Sequence, residues 1–244
     1  MSLRTLRSIR RVRRVISVRP NLYFPLARLS GNRRLLRETA DLVVDGFPRS
    51  ANSYVEAAFA YSQSARRLTI ATHSHAAAQI LRSVEWGLPT VVLIRQPDEA
   101  VASMMEMQKG AQALDQFQDY TAFYRPLLPL IEKVVIAEFS TVISQFDKIV
   151  KRVNQKFATD LEVPQINDEF KAGVDQEVQR ISWHRMGRIP PYSSSVSSHA
   201  RAERRARQDR FIEDVRSSSD RELKRAREEA LDLFSWFTKS LNPK

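Results

Sequence analysis

Residues 46–54 place one arginine among small polar side chains, in the order Gly-Phe-Pro-Arg-Ser-Ala-Asn-Ser-Tyr. The segment follows a short apolar run at 41–45, which predicts a buried strand, and precedes an apolar helical pattern that continues through residue 61. A tight loop between a strand and a helix presents backbone N–H groups and a helix N-terminus to an anion. Arg49 adds a guanidinium group suited to phosphate or sulfate oxygens, and neutral donors follow at Ser50, Asn52 and Ser53. The segment therefore predicts an anion-binding loop; the alternative is an ordinary turn whose Ser and Asn side chains cap the helix.

The same loop departs from the nucleotide-binding template G-x-x-x-x-G-K-[ST] at two positions. Gly46 and Ser53 match the template, whereas Ala51 stands at the second glycine and Asn52 at the lysine. That lysine contacts the β- and γ-phosphates in NTPases, so its replacement argues against triphosphate hydrolysis.

Polar side chains also follow other segments that predict strands. The predicted strands are 41–45, 68–72, 90–94 and 134–137, and helical patterns follow at 76–82, 99–107, 113–130 and up to about 157. Strands that alternate with helices predict a parallel sheet, whose ligands bind at the carboxyl ends of the strands. His73 and His75 follow the second predicted strand, and Arg95 follows the third. We therefore expect Arg49, His73 and Arg95 to lie around one site.

The composition limits the class of protein. With 244 residues, 43% of them hydrophobic and 27% charged, the chain predicts one globular α/β domain. Cysteine is absent, which excludes disulfides, thiolate metal sites and a cysteine nucleophile. The six glycines form no G-x-G-x-x-G fingerprint. A cysteine-free chain is compatible with a reducing compartment, and we expect a cytoplasmic protein.

The net charge of +11 arises in residues 1–37, which we call the arm. The arm holds 11 arginines and no acidic residue, while the rest of the chain carries 28 basic and 28 acidic residues. A helix in the arm places five apolar side chains on one face with arginines around them: Leu3, Leu6, Ile9, Val12 and Ile16. Two interpretations of the arm are favoured equally: a helix attracted to an anionic membrane surface, and a solvated helix packed on the body. A transit presequence and a nucleic-acid-binding segment are weaker alternatives. No segment reaches the roughly 20 apolar residues of a membrane span.

Taken together, the motifs resemble those of the sulfotransferase family that uses 3′-phosphoadenosine-5′-phosphosulfate (PAPS). Pro48-Arg49-Ser50-Ala51-Asn52-Ser53-Tyr54 resembles the first family signature, Pro-Lys/Arg-Ser-Gly-Thr/Asn-Thr-Trp. Arg95-Gln96-Pro97 with Ser103 matches the second signature, Arg-x-Pro-x-x-x-x-x-Ser, in order and spacing. Ala71-Thr72-His73 lies where the family often carries Lys-Thr/Ser-His. The resemblance covers roughly residues 40–160, and the paired motifs are more specific than either one alone.

The resemblance implies a fold and a set of roles. The implied fold is α/β, a three-layer parallel sheet of P-loop-NTPase-like sulfotransferase topology with a helical C-terminal part. Residues 49–54 are assigned to the 5′-phosphosulfate of PAPS, and Arg95 and Ser103 to the 3′-phosphate. His73 is assigned as the base, because an imidazole has an ordinary pKa of about 6.5, and His75 is the reserve candidate. The product is adenosine 3′,5′-bisphosphate (PAP), and no metal is expected because a sulfate monoester carries less charge than a triphosphate.

Three features depart from the family pattern. Ala51 replaces a loop glycine, which requires a loop conformation that tolerates a Cβ atom. Ala71 replaces the lysine that stabilises the leaving group, which transfers that role to Arg49. The C-terminal Gly-x-x-Gly-x-Trp loop is missing from the sequence, and residues 193–199, with the arginines that follow, are the candidate cover for the nucleotide. We assign Arg201 to that cover.

Other conspicuous residues are predicted to be structural. Glu56 is expected on the solvated face of its helix, and the tryptophans are expected to pack in the core: Trp86, Trp183 and Trp236. Ser219-Asp220-Arg221-Glu222 predicts a capping box that opens the last helix. The apolar face of that helix consists of Leu223, Ala226, Ala230, Leu233, Phe234 and Phe237.

The sequence thus predicts the basic arm at 1–37 and a single sulfotransferase-like α/β domain at 38–244. The expected reaction moves a sulfuryl group from PAPS to a hydroxyl or amine of a small-molecule, carbohydrate or lipid acceptor. A P-loop nucleotide or phosphoryl-transfer protein is the alternative enzyme. A non-catalytic protein whose arm binds an anionic membrane or nucleic acid is the alternative without catalysis. Peripheral membrane contact through residues 1–37 is among the expected interactions, whereas nucleic acid is not.

Overall fold

The computed structural model describes residues 3–29, 31, 35–63, 65–108, 110–187, 196–239 and 241. Its strands are β1 (Leu42–Gly46), β2 (Ile70–Thr72), β3 (Thr90–Ile94) and β4 (Val135–Glu138). They form one sheet in the order β2-β1-β3-β4, and every neighbouring pair is parallel. The parallel sheet predicted from the alternation of strands and helices is confirmed.

Helices connect the strands and extend beyond them at both ends of the chain. In chain order they are α1 (Leu3–Ser17), α2 (Pro20–Leu29), α3 (Asn52–Ser62), α4 (Ala77–Glu85), α5 (Pro97–Met107), α6 (Ala113–Tyr124), α7 (Phe139–Ser144), α8 (Phe146–Phe157), α9 (Asp168–Met186), α10 (Ser198–Ser217) and α11 (Arg221–Lys239). A 3₁₀ helix, Arg125–Lys133, lies between α6 and β4.

Alternate strand residues face two apolar cores, so the sheet is covered on both sides. On one face, Val43 of β1 and Val92 of β3 pack with residues of α4, α6 and α11. On the other face, Leu42 and Val91 pack with residues of α3, α8 and α9. Continuous apolar strands buried on both faces are typical of parallel sheets between helical layers. The predicted α/β class is confirmed at this level.

The end of β1 requires a glycine. Gly46 pairs with Leu93 of β3, and a Cβ atom on residue 46 would overlap the carbonyl oxygen of Leu93. Gly46 therefore allows β1 and β3 to approach each other where the sheet opens into the loop.

Most predicted elements agree with the observed ones to within a few residues. β3 has the predicted bounds, whereas β2 is shorter than the predicted 68–72. The helix predicted at 113–130 ends at Tyr124 and continues as the 3₁₀ helix. Pro126 and Pro129 lie in that continuation, and proline supplies no backbone donor for a regular α-helix.

Three predictions about α9 and α11 are wrong. Trp183 and Trp236 are 60% and 64% exposed, because other residues of α9 and α11 fill the faces that meet the sheet layers. The cap of α11 is Asp220 and not Ser219, since Oδ1 of Asp220 accepts a hydrogen bond from the backbone N–H of Glu222 at 2.9 Å. The predicted apolar face of α11 is confirmed, with its most buried side chains at Ala226, Ala230, Leu233 and Phe237.

The arm is helical and lies against the body of the protein. The amphipathic helix predicted there is confirmed as α1, and Phe24 of α2 is buried in the core. Several predictions fall outside the described residues, namely the side chains of Leu3 and Leu6, the positions of Arg33 and Arg34, and the loop at 190–195.

Candidate functional site

The predicted site lies where the strand order changes direction. β2 lies on one side of β1 and β3 on the other, so the chain passes across the sheet between β2 and β3. In sheets of this kind, the crevice beyond the carboxyl ends of such strands receives ligands. Arg49 enters this crevice region from the loop after β1, and Arg95 enters from the end of β3. Nη1 of Arg95 donates a hydrogen bond to the carbonyl oxygen of Arg49 at 3.2 Å, so the structure brings these two predicted residues together.

Left-handed backbone conformations are concentrated around this crevice. The φ angle is 73° at Arg49, 75° at Ala51, 58° at His73 and 49° at His75. A residue other than glycine pays about 1–2 kcal/mol for this conformation. Strain of this kind persists where the surrounding structure holds it, and it often accompanies function. The loop therefore keeps a glycine-like conformation at Ala51 despite the Cβ atom.

Arg49 and Ser103 join the two sequence motifs into one cluster. Nε of Arg49 donates to Oγ of Ser103 at 2.9 Å, and Ser103 is only 1% exposed. On the other side of the cluster, the Arg95 guanidinium lies 4.1 Å from the ring centre of Phe139 and pairs with Glu99 at 3.0 Å. Burial lowers the pKa of Arg95, although Glu99 opposes that shift. The cluster is thus cationic and partly withdrawn from solvent.

Helix α10 contributes a further arginine to the cluster. Nη2 of Arg204 donates to Oγ of Ser103 at 3.1 Å, so Ser103 accepts from both Arg204 and Arg49. Sequence reasoning assigned the covering role to Arg201, which is exposed and lies three residues earlier on α10. The Arg201-Arg204-Arg205 run was the available signal for Arg204, whose contact with Ser103 depends on the packing of α10 on α5.

Glu106 of α5 holds α10 in this position. Its carboxylate accepts hydrogen bonds from Nε of Arg204 at 2.8 Å, Nε of Arg207 at 3.1 Å and Nε2 of Gln208 at 2.6 Å. Burial raises the pKa of Glu106, but the hydrogen bonds from Arg204 and Gln208 outweigh it, so the pKa is lowered overall. Glu106 is therefore a charged anchor for the helix that borders the arginine cluster.

His73 lies next to the loop, in contact with three polar side chains. Its Nε2 is 3.1 Å from Oγ of Ser53, and its Nδ1 is 3.0 Å from Oγ1 of Thr72. Nδ1 also lies 3.5 Å from Oε2 of Glu56. In the tautomer that carries its proton on Nδ1, the nitrogen facing Thr72 and Glu56, Nε2 is the basic nitrogen.

The expected position of Glu56 on a solvated face is wrong. Its side chain is 15% exposed, because α3 turns Ser53 and Glu56 toward the same histidine. The spacing of three residues between Ser53 and Glu56 was the available sequence signal, since residues i and i+3 share a helix face. Glu56 thus belongs to the candidate site, although the sequence analysis did not include it among the site residues.

A buried carboxylate fixes the histidine segment to β1. Asp45 is fully buried and accepts hydrogen bonds from Oγ of Ser74 at 2.7 Å, the backbone N–H of Ser74 at 3.0 Å and Nε2 of Gln79 at 3.0 Å. Burial raises the pKa of Asp45, and the nearby His75 opposes the shift. Nδ1 of His75 lies 2.8 Å from the carbonyl oxygen of Gly46. His75 is therefore engaged with the end of β1, while His73 faces α3.

Two of the predicted loop donors are turned inward. Ser50 is fully buried, and Asn52 is 5% exposed with its Nδ2 donating to the carbonyl oxygen of Phe47 at 3.2 Å. Oδ1 of Asn52 is buried and has no hydrogen-bond partner among the described residues. Ser53 and Tyr54 are partly exposed, and burial raises the pKa of Tyr54. The accessible side of the loop is thus formed by Arg49, Ser53 and Tyr54.

A large polar groove lies beside the histidine. It has a volume of about 1130 Å³ between α3, α9 and the edge of β2. Glu56 lines it, as do three further glutamates and three basic residues: Glu162, Glu169, Glu177, Arg67, Arg180 and His184. Because Glu56 also contacts His73, the groove adjoins the histidine side of the site.

No protein-family model matches the sequence, and no curated protein is significantly similar to it.

Proposed function

We propose that this protein is a PAPS-dependent sulfotransferase that acts on a hydroxyl or amine acceptor. The observation that carries the proposal is the hydrogen bond from Arg49 to Ser103, at 2.9 Å. It joins the segment that resembles a 5′-phosphosulfate loop to the segment that resembles a 3′-phosphate site. Segments that are 54 residues apart in sequence thereby border one cationic crevice.

The charges of the crevice suit a nucleotide with two anionic ends. Arg49 and Arg204 both donate to Oγ of Ser103, and Arg95 donates to the carbonyl oxygen of Arg49. Glu99 pairs with Arg95, and Glu106 pairs with Arg204. Guanidinium groups bind phosphate and sulfate through paired donors. In this proposal Arg95, Ser103 and Arg204 bind the 3′-phosphate, and the loop 49–54 binds the phosphosulfate.

The proposed reaction uses His73 as the base and Glu56 to orient it. The acceptor oxygen or nitrogen forms a bond to sulfur, while the bond from sulfur to the bridging phosphate oxygen breaks. The electron pair of that bond leaves with the nucleotide phosphate, and the acceptor proton moves to Nε2 of His73. Glu56, 3.5 Å from Nδ1, stabilises the imidazolium that forms. Arg49 supplies the positive charge at the departing phosphate, because alanine occupies position 71.

The acceptor approaches through the polar groove beside Glu56. The groove is large enough for a compound of drug size or above, and glutamates outnumber arginines along it. Such a lining favours an acceptor with amine or hydroxyl donors over a polyanionic one.

Nucleotide binding tests the proposal. We expect PAP to raise the melting temperature of the full chain, with smaller shifts from 5′-AMP and from ATP with Mg²⁺. A ligand at 100 times its Kd stabilises by about 2.7 kcal/mol, which is readily measured. Equal shifts from all three nucleotides would contradict the 3′-phosphate assignment, and no shift from any of them would refute the donor site.

Arg95→Ala gives a sharper form of the same test. Its effect should be selective, with PAP affinity reduced at least tenfold and 5′-AMP affinity almost unchanged, because Arg95 is assigned to the 3′-phosphate. Arg225→Ala is the matched control, since Arg225 pairs with Glu229 on the exposed surface of α11. Loss of PAP and 5′-AMP affinity to the same extent would mean that Arg95 supports the loop and does not bind the 3′-phosphate.

A further inference from the structure

Helix α1 turns three of its apolar side chains away from the body of the protein. Ile9, Val12 and Val15 are 53%, 59% and 47% exposed. At about 100° per residue, these three side chains lie within a third of the helix circumference. A solvated helix packed on a body normally buries this face, so the orientation of α1 is the reverse of the usual one.

Among the described side chains of α1, two arginines bond the helix to the body. Arg14 donates from Nη1 to Oε1 of Gln118 at 2.8 Å and from Nη2 to the carbonyl oxygen of Asp115 at 3.0 Å, and its Nε donates to Asp119. Arg10 lies 3.5 Å from the same Asp119 carboxylate. Both arginines are on the helix side opposite to Val12. The outward direction of the apolar face is therefore fixed by ion pairs with α6.

Helix α2 adds a second exposed apolar stripe. Leu22, Leu26 and Leu29 are 47%, 51% and 85% exposed. Their spacing of four and then three residues places them on one side of α2, opposite to the buried Phe24. The arm thus presents aliphatic side chains from two consecutive helices.

Positive charge flanks these aliphatic side chains. Arg11 and Arg13 are exposed and lie about 100° to either side of Val12. Arg19 and Arg28 are exposed as well, and the arm contains no acidic residue to offset them. Aliphatic side chains bordered by arginines characterise helices that lie in the headgroup region of anionic bilayers.

We propose that the outward face of α1, together with the leucine stripe of α2, binds the surface of an anionic lipid bilayer. The aliphatic side chains enter the boundary between headgroups and acyl chains, and the flanking arginines contact lipid phosphates and carboxylates. Nucleic acid fits less well, because it would leave the aliphatic face in water and the face offers no aromatic ring for base stacking. None of the described helices is long and apolar enough to cross a membrane.

Helix α6 links the proposed bilayer-binding helix α1 to the arginine cluster. Asp115 and Asp119 of α6 hold α1, while the hydroxyl of Tyr120 donates to the carbonyl oxygen of Arg95 at 2.8 Å. One helix therefore connects the membrane-binding face with the arginine cluster. Binding through α1 sets the orientation of the crevice relative to the bilayer.

Vesicle co-sedimentation of the full chain tests this inference. We expect binding to vesicles that contain phosphatidylserine, weaker binding to phosphatidylcholine alone, and a decrease at high salt. Val12→Ser with Val15→Ser should weaken binding more than tenfold, because each change removes methyl groups from the lipid contact. Val163→Ser with Ile143→Ser is the control, since these residues are also exposed aliphatics but lie in the body.

The arginine variants and a DNA-binding assay distinguish binding to lipid from binding to nucleic acid. Arg11→Gln with Arg13→Gln should weaken binding about fivefold per residue and reduce its salt dependence. Equal binding by the Val12/Val15 variant and the control would overturn the inference, as would tighter binding to duplex DNA that the valine changes leave unaltered. Because these readouts need no nucleotide, they are independent of the PAP measurements. A chain that binds vesicles but not PAP would refute the proposed function alone.

Discussion

Ala51→Gly tests whether the anion-binding loop stores backbone strain. Ala51 has φ 75° and ψ 19°, and its side chain makes no capping hydrogen bond. The left-handed conformation costs alanine about 1–2 kcal/mol, whereas glycine adopts it freely. Glycine also gains about 0.4–1 kcal/mol of conformational entropy in the unfolded chain, which offsets part of the benefit. The net expectation is a stabilisation of about 0.5–1 kcal/mol.

A chain of this length converts that free energy into a small but measurable rise in melting temperature. Domains of this size shift by about 2–4 °C per kcal/mol, so Ala51→Gly should melt about 1–4 °C higher. Differential scanning calorimetry measures the shift, and urea denaturation gives the free energy of unfolding independently. Ala158→Gly is the matched control, because Ala158 has φ 52° and ψ 39° at the end of α8, away from the crevice.

The pair of variants separates strain from other causes. Equal stabilisation by both changes would mean that the backbone conformation alone accounts for the effect. An unchanged or lower melting temperature for Ala51→Gly, beside a higher one for Ala158→Gly, would refute the argument that Ala51 is strained. In that case the Ala51 methyl group makes contacts that outweigh its backbone cost.

Three further changes probe the framework around the site. Gly46→Ala should destabilise the fold by about 1–3 kcal/mol in urea denaturation, because its Cβ overlaps the Leu93 carbonyl oxygen; wild-type stability would contradict that overlap. Arg227→Met should cost about 1–3 kcal/mol, since Asp98 is 1% exposed and loses two hydrogen bonds of 2.8 and 2.7 Å, while Arg216 remains 3.6 Å from its carboxylate. Adding Asp98→Asn should restore part of this loss. Glu106 has a lowered pKa in the folded state, so its contribution is present above its ordinary pKa of 4.5 and is lost as the pH falls below it. As the pH is lowered from 7 to below 4.5, the melting temperature of Glu106→Gln should therefore fall less than that of the wild type. Equal falls for the two proteins would exclude Glu106 as the anchor of α10.

Strand bounds, loops and helix faces could be predicted from the sequence of this protein. The bounds of β3 follow from a β-branched run, Thr90–Ile94, that ends at a charged residue. The loop at 46–54 and the spacing of Arg95 and Ser103 were likewise visible, because a turn and a helix face depend on residues a few positions apart. The helix in the arm followed from its apolar period for the same reason.

The packing partners of these loops and helices could not be predicted from the sequence, because they depend on contacts between distant segments. The period of α1 predicts one apolar face, but it does not tell whether that face turns inward. Ion pairs to Asp115 and Asp119, about a hundred residues away, turn Ile9, Val12 and Val15 outward.

The same distinction applies to the candidate site. The sequence determined which side chains have chemistry to offer, since local spacing set their positions on loops and helix faces. Only the tertiary structure decided that Arg204 approaches Ser103 and that Glu56 turns toward His73. A helix face is fixed by its own residues, but the surface that it meets is selected by the burial and charge pairing of the whole fold.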